Sequence, residues 1–551
     1  MISFEQSNPP SSGGIGGHLS SEADSVVVGR VVAVSGSQVV ILLTPEAAVA
    51  ADENSEVQIG SMLRMRTQVS TVFGLVSGLS IPIPGNDPSV EMKIVELELV
   101  GETPLGRDAT PRFRRGVSVF PALGASVATA TRTDLTSIYM RDDRQSVRIG
   151  SIHQDPRLPA NILTDDLLGK HFAVLGTTGS GKSCAVALIL NAILNNHPNG
   201  HVILLDPHSE YASAFQGRAE LLDASNMDLP YWLLNFEELV GILQFGDMLE
   251  HEAESAILYD IVLAAKRSYA GDAPGTDFIT VDTPVPYRLG DVHRLLDEAM
   301  GRLNKPQDSA PYLRIKGRLN ALQSDRRYAF MFPSALSLRD NMTSILARML
   351  RIPVGDKPVT IIDLSGLPSE TLNVLVSLLS RMAFDFALWA ERSVPILLVC
   401  EEAHRYAPLD TSRGFEPTKR ELSRIAKEGR KYGVSLCVVS QRPSELAAGM
   451  LSQCNTIFAM RLSNQHDQDF VRSAMPESGH GLLEFLPSLG NAQAVVVGEG
   501  VAVPMRLVFD QLPDDSRPSR GGASFAQAWS DEQPDRDFVA NVVDRWRRQI
   551  R

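Results

Sequence analysis

The sequence predicts an α/β chain: a small N-terminal β-barrel followed by a parallel-rich central sheet with crossover helices. Three observations carry that expectation. Short Val- and Ile-rich runs between residues 25 and about 150 are broken at regular spacing by Gly and Pro. From about residue 160, apolar strands alternate with helical stretches, as parallel strands joined by crossovers require. Between 215 and 350 the chain turns helical and more polar, which marks a helical insertion between two strands of the core.

In chain order, residues 1–24 are Ser-, Gly- and Pro-rich and are expected to form a flexible tail. They lack the basic and apolar regions of a secretory signal. The barrel candidates are SVVVGRVVAVSGSQVVILL (25–43), SEVQIGSMLRMRT (55–67), TVFGLVSGLSIP (71–82) and MKIVELELVGE (92–102), continued by TPRFRRGVSVFP. Residues 151–214 hold the first core strands, at 172–176 and 201–206. The core resumes over 351–512, with strands expected at 359–364, 395–400, 434–440 and 456–461. Further β-like runs lie at 492–498 and 504–510. Residues 513–551 are expected to be a linker and helical tail, with Phe538, Val542 and Trp546 along one face.

The 551 residues carry a net charge of −13. An evenly acidic surface repels nucleic acid, so any DNA contact needs basic residues focused in a groove or pore. No uninterrupted apolar run approaches the roughly 20 residues of a membrane helix. The four cysteines, Cys184, Cys400, Cys437 and Cys454, show neither C-x-x-C spacing nor an accompanying His cluster. Three lie in or beside runs expected to be buried, as small hydrophobes, which points to a reducing cytoplasm.

Gly176–Ser183 spells GTTGSGKS and fits G-x-x-x-x-G-K-[ST] at every fixed position. The motif sits where its mechanism needs it, after FAVLG and before the helical run SCAVALILNAIL. Small residues let the backbone of Gly176, Thr177, Thr178, Gly179, Ser180 and Gly181 close around phosphates. The helix running on through Cys184 adds free N–H groups and the positive end of its dipole. Lys182 is expected at the β- and γ-phosphates and the Ser183 hydroxyl on Mg2+. The loop therefore implies ATP and Mg2+ as ligands and ATP hydrolysis as the reaction.

Such a site also needs an acid at the tip of a buried strand. VTIIDL offers Asp363 with no second acid beside it, whereas PILLVCEEAHRYAP offers Glu401 and Glu402 together. Adjacent residues leaving a strand point in different directions. Glu401 can thus orient Mg2+ or its waters while Glu402 polarises the attacking water, and this pair is preferred. Asp206 ends HVILLD and is expected close to the phosphates; its bland alternative is an Asx-turn opening the next loop.

GTTGSGKS, DPHSEY, the strand-end EEAH and the downstream EGRKYGVSLCVVSQRP together resemble the HerA–FtsK superfamily, specifically bacterial HerA-type ATPases. The resemblance runs from about residue 25 to 510. It implies a RecA-like P-loop core, a hexameric ring that translocates double-stranded DNA, and an N-terminal barrel of the HAS type. Glu401 stands where such proteins commonly carry the Walker B aspartate; a longer carboxylate still reaches Mg2+.

The helix RELSRIAKEGRKYG (420–433) places Arg420, Arg424, Lys427 and Lys431 along one side, usually a solvated face. The resemblance implies that a basic residue of this region completes a neighbour's ATP site. Arg430, close to the following strand, is chosen ahead of Arg424 and Lys431. Gln441, at the tip of VSLCVVSQRP, is expected to sense the γ-phosphate or position water, its alternative being a turn residue before Pro443. In the Pro-broken loop 404–419, Arg413 and Lys419 are expected to touch DNA phosphates without reading sequence.

The leading expectation is an ATP-driven hexameric DNA translocase or helicase. The resemblance implies a partner docked on the barrel, either a NurA-like nuclease in DNA end processing or a sirtuin-like or nuclease effector in anti-phage defence. No nuclease or NAD-hydrolysing constellation is legible in this chain. The alternative is a ring scaffold that uses ATP to assemble and activate an effector. A peptide or conjugation pump would call for a membrane anchor, which the sequence does not suggest.

Overall fold

The computed structural model describes residues 25–44, 57–82, 92–105, 112–140, 145–243, 248–272, 274–303, 306–332, 339–410, 414–475, 479–519, 525–530 and 535–548. The expected tail over 1–24 lies outside them.

Seven strands form the first sheet: β1 (Val27–Ser35), β2 (Gln38–Leu43), β3 (Met62–Arg66), β4 (Ser70–Ser80), β5 (Ile94–Pro104), β6 (Arg114–Arg115) and β7 (Ser126–Thr129). Their order is β2-β1-β7-β3-β4-β5-β6, and β2 also pairs with β5. Six antiparallel strands thus close into a barrel, with β6 appended to β5. Alternation explains the closure. Val39 and Ile41 on β2, Leu63 and Met65 on β3, and Val95 and Leu97 on β5 all turn into one apolar interior. Each such buried side chain contributes on the order of 1.5–3 kcal/mol. The β1–β2 hairpin turns tightly at Gly36, whose φ of +56° suits a residue without a Cβ.

The second sheet has eleven strands. They are β8 (Ser146–Ile152), β9 (Pro159–Leu163), β10 (His171–Leu175), β11 (His201–Asp206), β12 (Ala219–Leu222), β13 (Val359–Asp363), β14 (Ile396–Cys400), β15 (Val434–Ser440), β16 (Cys454–Ala459), β17 (Gln493–Gly498) and β18 (Met505–Phe509). The order is β12-β13-β11-β14-β15-β10-β16-β17-β18-β8-β9. From β12 to β16 neighbours run parallel, and from β16 to β9 they run antiparallel. Each strand read from the sequence at 172–176, 201–206, 359–364, 395–400, 434–440, 456–461, 492–498 and 504–510 has its counterpart here. β8 begins at Ser146, ahead of the expected boundary near 150, and joins this sheet through β18. β12, short and lacking β-branched residues, falls inside the expected helical insertion and edges the sheet beside β13.

The helices that matter for the site are α1 (Lys182–Asn196), α2 (Phe236–Leu243), α3 (Ser369–Trp389) and α4 (Glu416–Tyr432). By length and composition α3 could cross a membrane, an outcome the sequence reading did not anticipate because Arg381 and Asp385 break the apolar run. Here it is a core helix, with 78% of its apolar window buried. Arg381 pairs at 2.8 Å with the fully buried Glu238 of α2, and its guanidinium also donates to Leu233 O at 2.6 Å. The terminal helix Arg536–Arg548 leaves Phe538 and Trp546 exposed.

Barrel and sheet are latched at two points. Glu98 of β5 accepts the backbone N–H of Gly479 at 2.7 Å and of Gly481 at 3.2 Å. Arg115 of β6 donates to the carbonyls of Gly498 and Ala502, each at 2.7 Å, and to that of Val501. Met62, Phe73 and Leu75 of the barrel also belong to the sheet's continuous apolar core.

Candidate nucleotide site at the carboxyl edge of the sheet

β11, β14, β15 and β10 are successive parallel neighbours, so their carboxyl ends open on one edge, where ligands of open α/β sheets bind. The chain leaves β10 into Gly176–Gly181 and enters α1 at Lys182. Gly179 and Gly181 sit at φ +79° and +100°, in the left-handed region that favours glycine. A Cβ on Gly176 would lie 2.7 Å from Ser180 Oγ and 2.9 Å from Met460 Cβ. The loop is therefore wound as tightly as its small residues allow. Thr177 anchors it, donating its N–H and its hydroxyl to Arg461 O at 2.8 and 3.1 Å. No side chain caps α1, which leaves its first N–H groups facing the loop.

Lys182 is buried, with Nζ 3.3 Å from Thr177 O. Burial lowers its pKa, and Glu401, Glu402 and Glu210 oppose that shift. Glu401 is buried at the end of β14, where desolvation first and Glu402 second push its pKa up to about 8. Tyr211 donates its hydroxyl to Glu401 at 2.9 Å. Glu402 is buried too, and its pKa is raised chiefly by burial. Its φ of +52° is unusual for a residue with a long side chain. Glu402 Oε2 lies 3.3 Å from His404 Nδ1 but has no hydrogen-bond partner of good geometry. Burial, the first cause, holds His404 down to about 4, so this is a contact with a neutral ring and not an ion pair. Gln441 follows β15 directly and accepts the Thr178 hydroxyl.

Asp206, expected close to the phosphates, engages its own backbone. Oδ1 accepts the N–H of His208 at 3.1 Å, and Oδ2 accepts those of Glu210 and Tyr211 at 2.8 and 3.0 Å. It thereby shapes its own loop, the bland alternative named above. The acid that reaches the phosphate loop is Glu210, which the sequence reading did not single out: it accepts the Ser183 hydroxyl at 2.8 Å. Tyr211 and His404 were passed over as well, although all three lie inside the quoted DPHSEY and EEAH motifs. Asp363 accepts from Ser209 Oγ at 2.7 Å and from Ser365 N at 2.9 Å, and so closes the turn that follows β13.

Ser183, Glu210 and Glu401 present hard oxygen donors that fit Mg2+, an ion that keeps waters and phosphate oxygens in its shell. Among the described residues no three His, Cys, Asp or Glu gather as a protein cage for a metal. Cys184 lies half-buried in the first turn of α1.

Arg430 stands elsewhere. It is exposed on the last turn of α4, four residues before β15 begins, and its charge is felt by His171 at the start of β10. β10 and β15 run parallel, so this is the amino edge, opposite the phosphate loop. Arg424 packs over the Phe384 ring at 4.1 Å and bonds Asp385 at 3.3 Å, and Arg420 pairs with Glu237. Lys427 and Lys431 are exposed. Lys419, expected on DNA, pairs with Glu416 at 2.7 Å and its side chain is 12% exposed. Arg413 lies outside the described residues.

Residues 147–383 match the family described as "Helicase HerA, central domain". The chain is 26% identical over 473 residues to the DNA double-strand break repair helicase HerA of Pyrococcus furiosus, covering 78% of each. It is 27% identical over 407 residues to the probable DNA double-strand break repair helicase HerA of Methanocaldococcus jannaschii, covering 69% of this chain and 78% of that one. The chain is a P-loop ATPase similar to the HerA helicases. Among solved structures, VirB4 of Thermoanaerobacter pseudethanolicus aligns with a TM-score of 0.49 and 14% identity, over 69% of this chain and 100% of that one. The matched family region ends before β14, so Glu401, Glu402 and Gln441 lie beyond it.

Proposed function

We propose that this ATPase is a motor that moves double-stranded DNA as a homohexameric ring. One observation carries the reading: within one chain, the phosphate site and the basic residue best suited to complete a second site lie at opposite edges of the same sheet. Lys182, Ser183, Glu210, Glu401, Glu402 and Gln441 gather at the carboxyl edge. Arg430 lies at the amino edge, a strand length of about 20 Å away. A second copy that docks its amino edge against this site brings its own Arg430 to the bound ATP.

In that arrangement Lys182 draws the terminal phosphates into the loop. Glu402 takes the proton of the attacking water, helped by a pKa already raised by burial. Gln441, tied to Thr178, registers the γ-phosphate at the loop. Ser183, Glu210 and Glu401 would hold Mg2+, which neutralises charge on the phosphate oxygens. Arg430 from the neighbour spreads the charge that builds in the transition state, a role worth about 10³–10⁵ in rate in other P-loop systems.

DNA enters this reading through the relatives named as double-strand break repair helicases. A NurA-like nuclease, or a sirtuin-like or nuclease effector, would dock on the barrel for end processing or anti-phage defence in the cytoplasm. The test is light scattering of the ATP-bound protein together with ATP turnover with and without duplex DNA. Six copies and DNA-stimulated turnover are expected; a monomer with full activity removes the ring.

A second reading is favoured by the ion pair that withdraws Lys419 and by the net charge of −13. There the ring is a scaffold that binds ATP to assemble and to activate its effector. Turnover indifferent to duplex DNA across a range of salt would select it.

A further inference from the structure

The amino edge of the sheet, where Arg430 stands, also carries the most exposed tryptophan among the described residues. Trp389 ends α3 with 84% of its surface open, although Ala383, Phe384 and Ala387 of the same helix are buried. Glu391 and Arg392 follow at φ +50° and +67°, in the left-handed region that residues with a Cβ seldom occupy. That turn lies against the end of α4: a Cβ on Gly433 would be 3.8 Å from Arg392 Cα. Tyr432, the last residue of α4, packs edge-on against Phe384 with ring centroids 5.4 Å apart. The tips of α3 and α4 are thereby held together. Both reach the amino edge because β14 and β15, the strands that follow them, run parallel.

The surroundings of Trp389 are charged rather than apolar. Arg392 and, over the last two turns of α4, Lys427, Arg430 and Lys431 are exposed, interleaved with Glu391 and Glu428. The carboxyl edge is the counterpart in charge. Asp206, Asp363, Glu401 and Glu402 stand at or just after the tips of β11, β13 and β14, with Glu210 in the loop beyond. Lys182, Arg405 and Arg461 offset part of this, and the phosphates of bound ATP tip the edge negative. An aromatic side chain inside a rim of charge is how a specific protein interface is built.

We propose that Trp389 is the apolar anchor of the contact between two copies of this chain, buried against the carboxyl edge of the next copy. It fixes where that copy receives Arg430. The inference rests on the ring reading above and adds the side chain that holds neighbours in register. A second copy fits this surface better than DNA does. The bases of a duplex are stacked on one another and offer an indole no free face, and Glu391 and Glu428 would be set against phosphates. An indole buries about 150–250 Å2, which places it among the side chains whose loss cripples an interface.

The test is sedimentation velocity of the full chain with ATP and Mg2+ over a range of protein concentrations. Trp389→Ala should raise the concentration for half-assembly by about thirtyfold, and Trp389→Glu should keep the chain monomeric. Trp389→Phe should assemble nearly as wild type does. At concentrations where wild type is also dispersed, all three should bind ATP with wild-type affinity, which reports that they are folded. In a Trp529→Phe/Trp546→Phe background the other remaining tryptophan, Trp232, is buried. There, assembly should shift the emission to the blue and cut acrylamide quenching several-fold. Wild-type assembly by Trp389→Ala and Trp389→Glu would overturn the anchor and leave the ring standing. Loss of DNA affinity with assembly intact would also overturn it, giving Trp389 to nucleic acid. Wild type that stays monomeric at every concentration would remove the ring first, and the anchor with it.

Discussion

Tyr211 donates its hydroxyl to Glu401 across 2.9 Å, although the two residues lie 190 positions apart. The bond ties the loop after β11 to the tip of β14, inside the core. Tyr211→Phe keeps the buried ring and deletes only the donor. It should cost about 1–2 kcal/mol in urea unfolding. It should also raise the Mg2+ concentration needed for half-maximal turnover by about tenfold, since outer partners tune metal ligands to that extent. An unchanged Mg2+ titration would mean that Glu401 needs no help from Tyr211.

Glu402→Gln preserves the shape of the side chain and removes its basicity. ATP binding should persist while phosphate release falls by about 10²–10⁴. The same residue sits at φ +52°, so Glu402→Val should be poorly folded, because a β-branched side chain resists that backbone. Near-normal turnover by Glu402→Gln would assign the water to another group.

Arg430→Ala should fold and bind ATP normally, because Arg430 is exposed and far from its own phosphate loop. Turnover should nevertheless fall by about 10³ or more. Doping the variant into wild-type protein should depress activity more than its mole fraction, as each bad copy spoils a neighbour. A strictly proportional decline would return catalysis to single chains.

His171 accepts the N–H of Leu436 at 2.9 Å through Nδ1 and must be neutral to do so. Burial, aided by the charge of Arg430, holds its pKa down to about 4. A depressed folded-state pKa gives stability that is complete above about pH 6.5 and drains as the pH falls towards 4. The loss is on the order of 3 kcal/mol. His171→Asn should be less stable at pH 7.5 yet flatter across this window, as read from denaturation midpoints. Parallel pH profiles for the two proteins would exclude His171 as the cause.

Arg381→Leu strands the carboxylate of Glu238, whose side chain is fully buried. The expected cost is about 3–5 kcal/mol, and adding Glu238→Leu should recover much of it. Chemical denaturation of the single and double variants checks both halves of that statement.

The sheet was legible because its strands are continuous apolar runs, such as HVILLD and VSLCVVS, buried on both faces. The phosphate loop was legible because its conformation demands glycine at fixed spacing. β12 was not, since AELL lacks β-branched residues and owes its strand state to pairing with β13. The choice between Asp206 and Glu210 was hidden for a related reason. Both acids lie in DPHSEY, and only the folded loop decides which carboxylate meets its own backbone and which meets Ser183. Lys419 carries the charge that DNA would want, but its local pairing with Glu416 depends on a side-chain direction no composition reveals.

The two latches of Glu98 and Arg115 give the barrel a mechanical meaning. Pinned at separate points to the segment 479–502, it cannot swivel on a slack hinge. Any shift of that segment against the phosphate loop must turn the barrel with it. A protein clamped to the barrel would therefore feel each firing of the nucleotide site as leverage, much as a tool feels the stroke of the shaft to which it is keyed.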